Sequence, residues 1–285
     1  ISDHGVGFNV YTNKVEPLQL LDFQKIILKE VHNKQNSIFV KSRQMHFSTM
    51  IAAYIAWFAV SNKERKNVLI ISPNSGMARL FLNKVKIVLE HYYGDTFRDN
   101  VPTNNTRELI LKNDTKIQCV GASHDSGKGE AVDFLFLDEF SFVDNADDIW
   151  MSANMCLSAT KGKCVMYSSV RYKEDAFYKI YEDALKNKNM FSASKILWHN
   201  NPHYNYMWYE DIKSRFPNTY KQDYDCIPLN KPAKKKENII TFRIDDWMDK
   251  AINKRLLQKA GELNENYSVS TYIRELILKD LTQHS

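Results

Sequence analysis

The sequence has few cysteines and no C-x-x-C pair. Three of its four cysteines stand in apolar stretches; the four are Cys119, Cys156, Cys164 and Cys226. This spacing lacks the pattern of a zinc site and of a disulfide framework. We therefore expect reduced thiols in a cytoplasmic protein.

Long apolar runs are also absent. The longest covers residues 50–60, whereas a helix that crosses a bilayer needs about 20 apolar residues. The first residues do not show a charged segment followed by an apolar one, which is the pattern of a secretory signal. The sequence thus predicts no membrane association.

Neither sign of charge dominates the composition. There are 39 Lys and Arg residues against 34 Asp and Glu, which gives a net charge of +5. This mildly basic balance permits a nucleic-acid partner without requiring one. Internal repeats are absent, and 285 residues allow either one large domain or a medium domain with a small one.

Hydrophobic patterning predicts alternating strands and helices through most of the chain. Helices are predicted over residues 20–31, 48–61 and 75–91 (with Ser75 as N-cap), buried strands over 37–40, 67–72, 132–137 and 163–168, a hairpin over 108–112 and 116–120, and irregular or helical structure over 178–224. Strands that are apolar throughout indicate a mainly parallel sheet with helices on both faces.

The composition changes near the end of the chain. The sequence predicts a first domain over residues 1–228, and a linker over 229–238 because of its prolines and lysines. Residues 239–244 alternate like a single strand, and 245–260 and 268–281 have helical patterns. We therefore predict a small β-α-α module over 239–285.

A candidate phosphate loop lies between a predicted strand and a predicted helix. Backbone N–H groups at a helix N-terminus attract phosphate, and Ser48 or Thr49 could offer a hydroxyl to Mg²⁺. The G-x-x-x-x-G-K-[ST] motif is absent. The candidate loop consists of Lys41, Ser42, Arg43, Gln44, Met45, His46, Phe47, Ser48 and Thr49.

Further polar residues follow two other predicted strands. Asp138 and Glu139 end one apolar strand, where one acid can hold Mg²⁺ through water and the other can orient the attacking water. Ser168 and Ser169 end another, where hydroxyls could sense a phosphate. Gln24 has an amide that can pair with adenine. The alternatives are a solvated turn for the acids and a surface position for the glutamine.

Taken in this order, the motifs resemble the large terminase subunits of tailed phages. The resemblance rests on S-R-Q-x-x-x-[ST]-T at residues 42–49, L-F-L-D-E at 135–139 and the serine-rich strand end at 165–170. Trp198 to Pro202 and Tyr220 to Cys226 resemble the end of the family's ATPase domain. The resemblance covers residues 18–228 and implies an α/β P-loop NTPase that uses ATP and Mg²⁺.

The resemblance also implies roles for the phosphate-side residues. Lys41, at the front of the loop, would contact the β- and γ-phosphates, and Arg43 would be a phosphate or transition-state cation. Ser48 or Thr49 would hold Mg²⁺. The remaining residues would complete the nucleotide-binding loop; these are Ser42, Gln44, Met45, His46 and Phe47.

The other motifs receive roles in the same way. Asp138 would be the acid on the Mg²⁺ side and Glu139 the catalytic carboxylate. Gln24 would contact adenine, and Ser168 and Ser169 would couple hydrolysis to movement. Partners implied by the family are double-stranded DNA, a portal, a small terminase subunit and a separate nuclease, in the host cytoplasm if the chain is phage-encoded.

Three departures from the family pattern bear on activity. His46 stands where the family has glycine, and we hypothesise that it weakens catalysis. Lys128–Gly129 stands where an Arg-Gly pair is common, so a second cation is altered. Too few residues follow Cys226 for the family's nuclease domain, and they lack a spaced cluster of acids, so we expect no DNA cleavage by that mechanism.

The predicted C-terminal module resembles ribbon-helix-helix proteins. In that family, paired strands enter the major groove of DNA, which implies Thr241 and Arg243 as base-reading residues. Ser268 would bind a phosphate at the start of a helix, and residues 239–285 would form a dimer. The lysines at 234–236 are either a phosphate-contacting arm or a solvated linker; they are Lys234, Lys235 and Lys236. The alternative is a helical dimerisation tail.

Two functions remain open at this point. The first is an ATP-driven DNA-packaging or translocation motor without its nuclease, favoured by Lys41, Asp138 and Glu139. The second is a terminase-derived DNA-binding regulator or decoy with an impaired nucleotide site, favoured by His46. A helicase-like repair ATPase fits the fold but not the segments around Trp198 and Tyr220.

Overall fold

The computed structural model describes residues 6–9, 14–17, 19–123, 126 and 131–232. The predicted ribbon-helix-helix module over 239–285, with Thr241, Arg243 and Ser268, lies outside these residues. So do the lysines at 234–236, the part of the predicted linker beyond residue 232, and Lys128–Gly129. These expectations therefore stay predictions.

Ten strands and eight α-helices make up the described residues, with short 3₁₀ turns at Gly94–Thr96, Phe140–Phe142 and Trp198–Asn200. The strands are β1 (Val6–Asn9), β2 (Lys14–Pro17), β3 (Asn36–Lys41), β4 (Asn67–Ser72), β5 (Thr103–Asn104), β6 (Glu108–Ile110), β7 (Lys116–Gly121), β8 (Phe134–Asp138), β9 (Lys163–Ser168) and β10 (Ser192–Ile196). The helices are α1 (Asp22–Asn33), α2 (Phe47–Ser61), α3 (Ser75–Tyr93), α4 (Phe97–Asn100), α5 (Ala146–Ser158), α6 (Ala176–Leu185), α7 (Tyr206–Arg215) and α8 (Tyr220–Asp223).

Eight of the strands form one mostly parallel sheet, in the order β10-β3-β9-β8-β4-β7-β6-β5. The strands from β10 to β7 are parallel to their neighbours, and β6 and β5 extend the edge in antiparallel fashion. Strands β1 and β2 form a separate antiparallel pair. The prediction of a mainly parallel sheet is confirmed, as is the hairpin between β6 and β7.

Each face of the sheet is buried under helices. Alternate residues of a strand enter different cores: Phe136 packs in the core that includes α1, α2 and α3, while Leu135 and Leu137 pack in the core that includes α5 and α6. Burial on both faces explains why the central strands are apolar throughout. The apolar run at residues 50–60 is the buried part of α2, and none of the described helices is long and apolar enough to cross a membrane.

The structure corrects two expectations. Residues 178–224 contain an edge strand, β10, which pairs with β3 in parallel. Its sequence, S-A-S-K-I, is only partly buried and offers little apolar signal, so the pairing partner decides its conformation. The N-cap of α3 is Asn74 rather than Ser75, since the Asn74 side chain accepts a hydrogen bond from the backbone N–H of Met77.

This topology brings polar residues to one edge of the sheet. Four neighbouring parallel strands end with a polar side chain, namely Lys41 on β3, Ser168 on β9, Asp138 on β8 and Ser72 on β4. Ligands of open α/β sheets bind outside the carboxyl ends of the strands. The functional site is therefore expected at this edge.

Candidate nucleotide-binding site

A cavity of about 960 Å³ opens at the carboxyl ends of the strands. Its walls include the loop between β3 and α2, and residues of α3 between Met77 and Ile87. The lining residues are Lys41, Arg43, Gln44, Met45, His46, Phe47, Ser48, Thr49, Pro73, Asn74, Met77, Lys84, Ile87, Glu139, Phe142, Ser169 and Tyr204. Eight of the nine residues of the predicted phosphate loop thus face one cavity.

The loop between β3 and α2 has an unusual backbone. Gln44 has φ 60° and His46 has φ 56°, both in the left-handed region. For a residue with a Cβ this conformation costs about 1–2 kcal/mol. His46 is also the N-cap residue of α2, and its side chain makes no capping hydrogen bond. Where the family has glycine, His46 thus adopts a backbone conformation that favours glycine, and its effect on catalysis stays a hypothesis.

Neighbouring segments hold the loop in this conformation. The hydroxyl of buried Ser42 donates to the backbone carbonyl of Tyr224. The guanidinium of Arg43 pairs with Asp223 at 2.8 Å, and the Arg43 side chain is about half exposed. Both contacts join the loop to the end of α8, so Ser42 acts on the loop from outside the cavity and Arg43 already has a carboxylate partner.

Gln24 supports the loop from another side. Its side chain is 3% exposed, and its amide nitrogen lies 3.4 Å from the backbone carbonyl oxygen of Met45. Its amide oxygen accepts from the backbone N–H of Leu21 at 3.0 Å. Gln24 is not one of the described residues that line the cavity. The contact to adenine therefore stays a prediction, and the observed role of Gln24 is to hold the loop backbone.

Lys41 and Glu139 form the central ion pair of the site. The ammonium lies 2.5 Å from Glu139 Oε1, and the Lys41 side chain is 8% exposed. Glu139 Oε2 accepts from the hydroxyl of Ser168 at 3.2 Å and from the backbone N–H of Ser169 at 3.1 Å. Four residues predicted from three separate motifs thus meet at one carboxylate.

Asp138 lies behind the wall of the cavity, only 4% exposed. It accepts hydrogen bonds from Ser72 at 2.9 Å and from the Tyr167 hydroxyl at 2.5 Å. Burial raises the pKa of Asp138 and neighbouring Glu139 adds to this, while the two hydrogen bonds oppose it. The carboxylate is therefore costly to keep ionised without a nearby cation.

Tyr167 connects Asp138 to the phosphate loop. Burial raises the pKa of the Tyr167 hydroxyl well above its usual range, so the hydroxyl stays protonated and donates a hydrogen bond to Asp138. The Ser48 hydroxyl lies 2.9 Å from the same oxygen. Ser48 and Asp138, the two predicted Mg²⁺ ligands, are thus linked through a single hydroxyl group.

The donor atoms near Asp138 suit Mg²⁺. This ion takes oxygen ligands, usually from one or two protein groups, with water and substrate phosphates completing the shell. The Ser48 hydroxyl, which lines the cavity, and the Asp138 carboxylate behind its wall supply such oxygens. Because Asp138 is set back from the surface, its contact with the ion would be made through water.

Lys84 and Tyr167 lie at the candidate site, although the sequence did not reveal them. Lys84 projects from α3 into the cavity wall. Burial lowers its pKa, and the carboxylates of Asp138 and Glu139 oppose this while Lys41 adds to it. Burial also lowers the pKa of His46, with Lys84 as the next contribution. Neither position carries a motif, so only the packing of α3 and β9 could identify them.

A chain of hydrogen bonds leads away from Glu139. The Ser168 hydroxyl accepts from the backbone N–H of Ser141 at 3.2 Å, and the Ser141 hydroxyl donates to Asp175, the N-cap of α6, at 2.5 Å. The backbone N–H of Arg171 also donates to the Ser141 hydroxyl. Leu229 in turn bonds to the backbone at Arg171 and at Lys173. The path therefore connects the Glu139 carboxylate to the start of the predicted linker.

Solved structures with this fold come from phage terminases. The Thermus Phage P74-26 large terminase ATPase domain matches with a TM-score of 0.59 and 16% identity, over 73% of this chain and 93% of that one. The HK97 bacteriophage large terminase matches with a TM-score of 0.58 and 15% identity, over 92% of this chain and 51% of that one. The large terminase of a thermophilic bacteriophage, solved with ADP, matches with a TM-score of 0.58 and 15% identity, over 73% of this chain and 53% of that one.

The chain spans about half the length of these two larger terminase structures. The structural likeness establishes the fold, and a sequence-based family model establishes the family. That model describes the N-terminal part of the terminase large subunit of T4likevirus type and matches residues 38–277. Since this match covers most of the chain, the protein belongs to the family of terminase large subunit N-terminal domains.

Proposed function

We propose that this chain binds ATP with Mg²⁺ and hydrolyses it as the motor domain of a DNA-packaging terminase. The observation that carries the proposal is the convergence of Lys41, Ser168 and Ser169 on the Glu139 carboxylate, beside a cavity of nucleotide size. Family membership supports it, and related terminase structures hold ADP or ATP-gamma-S.

Phosphate binding begins at the loop and at Lys41. The N-terminus of α2 points backbone N–H groups into the cavity, where they favour an anion. Lys41 is paired with Glu139, so it must exchange that carboxylate for phosphate oxygens. The exchange releases Glu139 to accept a proton from, or orient, the water that attacks the γ-phosphate.

Mg²⁺ would be held by Ser48 and, through water, by Asp138. When bound, the ion supplies charge neutralisation at the phosphates. The same charge stabilises the ionised form of Asp138, whose pKa burial raises. Tyr167 positions the Asp138 carboxylate and the Ser48 hydroxyl relative to each other.

Ser168 and Ser169 couple the site to the rest of the domain. Both bond to Glu139, and Ser168 also bonds to the backbone of Ser141. A change in the position of Glu139 therefore alters a path that reaches Arg171 and Leu229. This path is a physical route by which hydrolysis moves the segment around Leu229.

Double-stranded DNA is the proposed substrate for movement, with a portal, a small terminase subunit and a separate nuclease as proposed partners in the host cytoplasm. Thr241, Arg243, Ser268 and the lysines at 234–236 remain the proposed DNA contacts. Self-association through residues 239–285 belongs to the same proposal.

ATP turnover tests the proposal directly. The purified chain is assayed with Mg²⁺, with and without double-stranded DNA, beside Glu139→Gln. Turnover that rises with DNA and is lost in the variant establishes a motor ATPase. A chain that binds DNA but does not turn over ATP is instead the regulator or decoy, a reading favoured by the left-handed His46 in the phosphate loop.

A further inference from the structure

Three cations line the cavity wall near the predicted phosphate position, and two of them have carboxylate partners. Lys41 pairs with Glu139 at 2.5 Å and Arg43 pairs with Asp223 at 2.8 Å. Lys84 lines the same cavity, and within the described part of the chain it forms no ion pair or hydrogen bond. A lysine that is half-buried in a cavity wall without such a partner is poised for an anionic ligand.

The position of Lys84 is central to the site. Its charge interacts with those of Asp138, Glu139 and Lys41, and with that of His46 across the cavity. The wall around it consists of residues such as Met77 and Ile87, which do not hydrate an ammonium. Phosphate oxygens that enter between this wall and the loop can replace the water that the ammonium has lost.

Helix α3 holds Lys84 in place. Residues on either side of it, Phe81 and Val85, are 2% exposed or less and pack in the core beneath the sheet face. The capped N-terminus at Asn74 begins the helix directly after β4. Lys84 therefore approaches the cavity from a rigid element, in contrast to Arg43, which stands on a loop.

We propose that Lys84 is a phosphate-binding residue that contacts the β- and γ-phosphates of ATP from the wall opposite the phosphate loop. The inference rests on the proposed nucleotide function and adds to it a second, independently placed lysine. Lys41 and Lys84 would then hold the polyphosphate between two cations. Lys84 should therefore contribute to affinity only for nucleotides that carry the β- or γ-phosphate.

Equilibrium binding of three nucleotides to the full chain tests this assignment. Affinities for ATP-gamma-S, ADP and AMP are measured with Mg²⁺ by calorimetry for the wild type, Lys84→Gln, Lys84→Arg and Lys86→Gln. Lys86 is the matched control, because it lies on the same helix, pairs with Glu90 at 3.6 Å and does not line the cavity. Thermal unfolding shows whether each variant is folded.

Lys84→Gln is expected to weaken ATP-gamma-S binding about tenfold or more, as a lost charged hydrogen bond does, and to leave AMP binding unchanged. Lys84→Arg should restore most of the affinity, and Lys86→Gln should match the wild type. Unchanged ATP-gamma-S affinity in Lys84→Gln, or an equal loss for AMP, overturns the assignment. A wild type that binds none of the three nucleotides overturns the proposed function as well.

A second measurement uses the wild-type protein, so it tests the assignment even if a Lys84 variant fails to fold. ATP-gamma-S should protect Lys84 from acetylation, read by mass spectrometry, while AMP should not. Lys86 should be labelled equally in both cases. Equal labelling of Lys84 with either nucleotide contradicts the assignment.

Discussion

The two ends of the parallel sheet use their polar residues differently. At the amino ends, charged side chains bond to backbone groups as well as to each other: Asp133, just before β8, accepts from the backbone N–H of Asn67 at 2.8 Å and also pairs with Lys66 at 3.4 Å. At the carboxyl ends, charged side chains bond mainly to other side chains, as Lys41 does with Glu139 and Asp138 with Tyr167. Both ends are polar, and the carboxyl ends open into the cavity of about 960 Å³.

The lysines show the same contrast. Lys163, at the start of β9, donates to the carbonyls of Val31 and His32 at 2.5 and 3.1 Å and so satisfies the end of α1. Those carbonyls have a fixed place in the helix. The partner of Lys41 is a carboxylate on a side chain that can change its conformation. The amino ends therefore contribute to stability, and the carboxyl ends keep groups that a ligand can rearrange.

The largest expected effect falls on Glu139. Replacing it with glutamine removes the base that orients water, and turnover should fall about 100-fold or more. Nucleotide binding should persist, because the phosphate loop and Lys41 remain. Steady-state ATP hydrolysis together with calorimetric binding measures both; turnover close to that of the wild type would contradict the catalytic role.

Lysine substitutions at the two ends should separate binding from stability. Lys41→Gln should weaken ATP-gamma-S binding about tenfold or more. Lys163→Gln should leave that affinity unchanged and lower the free energy of unfolding by about 1 kcal/mol, since the partly exposed carbonyls at the end of α1 lose a charged donor. Binding calorimetry and urea unfolding are run on both variants. If Lys163→Gln weakens binding as much as Lys41→Gln, the division between the ends is wrong.

The two aspartates that flank β8 should respond with opposite signs. Asp133→Asn removes the charge that accepts from Asn67 and should destabilise the protein by about 1 kcal/mol. Asp138→Asn removes a carboxylate that is buried at a cost, and should stabilise the protein at neutral pH, while it weakens Mg²⁺-dependent nucleotide binding. Urea unfolding at pH 7.5 measures both changes.

The stabilising effect of Asp138→Asn should depend on pH. Burial raises the pKa of Asp138 above the ordinary 3.8, so the folded protein favours the protonated form. Protonated Asp138 in the wild type therefore contributes stability that is fully present below pH 3.8 and is lost as pH rises through the folded-state pKa. The difference between variant and wild type should therefore shrink as pH is lowered. A difference that grows on acidification would show that burial does not control this group.

The smallest expected effect concerns His46. Glycine relieves a left-handed strain of about 1–2 kcal/mol but adds unfolded-chain entropy of about 0.5–1 kcal/mol, so stability should change little. Turnover of His46→Gly should rise if the imidazole crowds the phosphates. Unchanged turnover would remove the hypothesis that His46 limits catalysis.

Much of the fold could be predicted from the sequence, because buried parallel strands need apolar residues at every position. Strands β4 and β9 lie where the pattern places them, at Asn67–Ser72 and Lys163–Ser168. The edge strand β10 could not be predicted in this way, because it is half-exposed and its partner, β3, lies about 150 residues away in the chain.

The sequence by itself determined the positions of the candidate phosphate loop, of the acid pair at the end of β8 and of the serines at the end of β9, since each is a local pattern of a strand end. Only the tertiary structure decided which groups meet: Lys41 with Glu139, Asp138 with Tyr167, and Lys84 beside both acids. The strand order that sets these neighbours depends on the packing of two buried cores. A single buried tyrosine such as Tyr167, or a helix lysine such as Lys84, has no local sequence pattern from which its position at the site could be predicted.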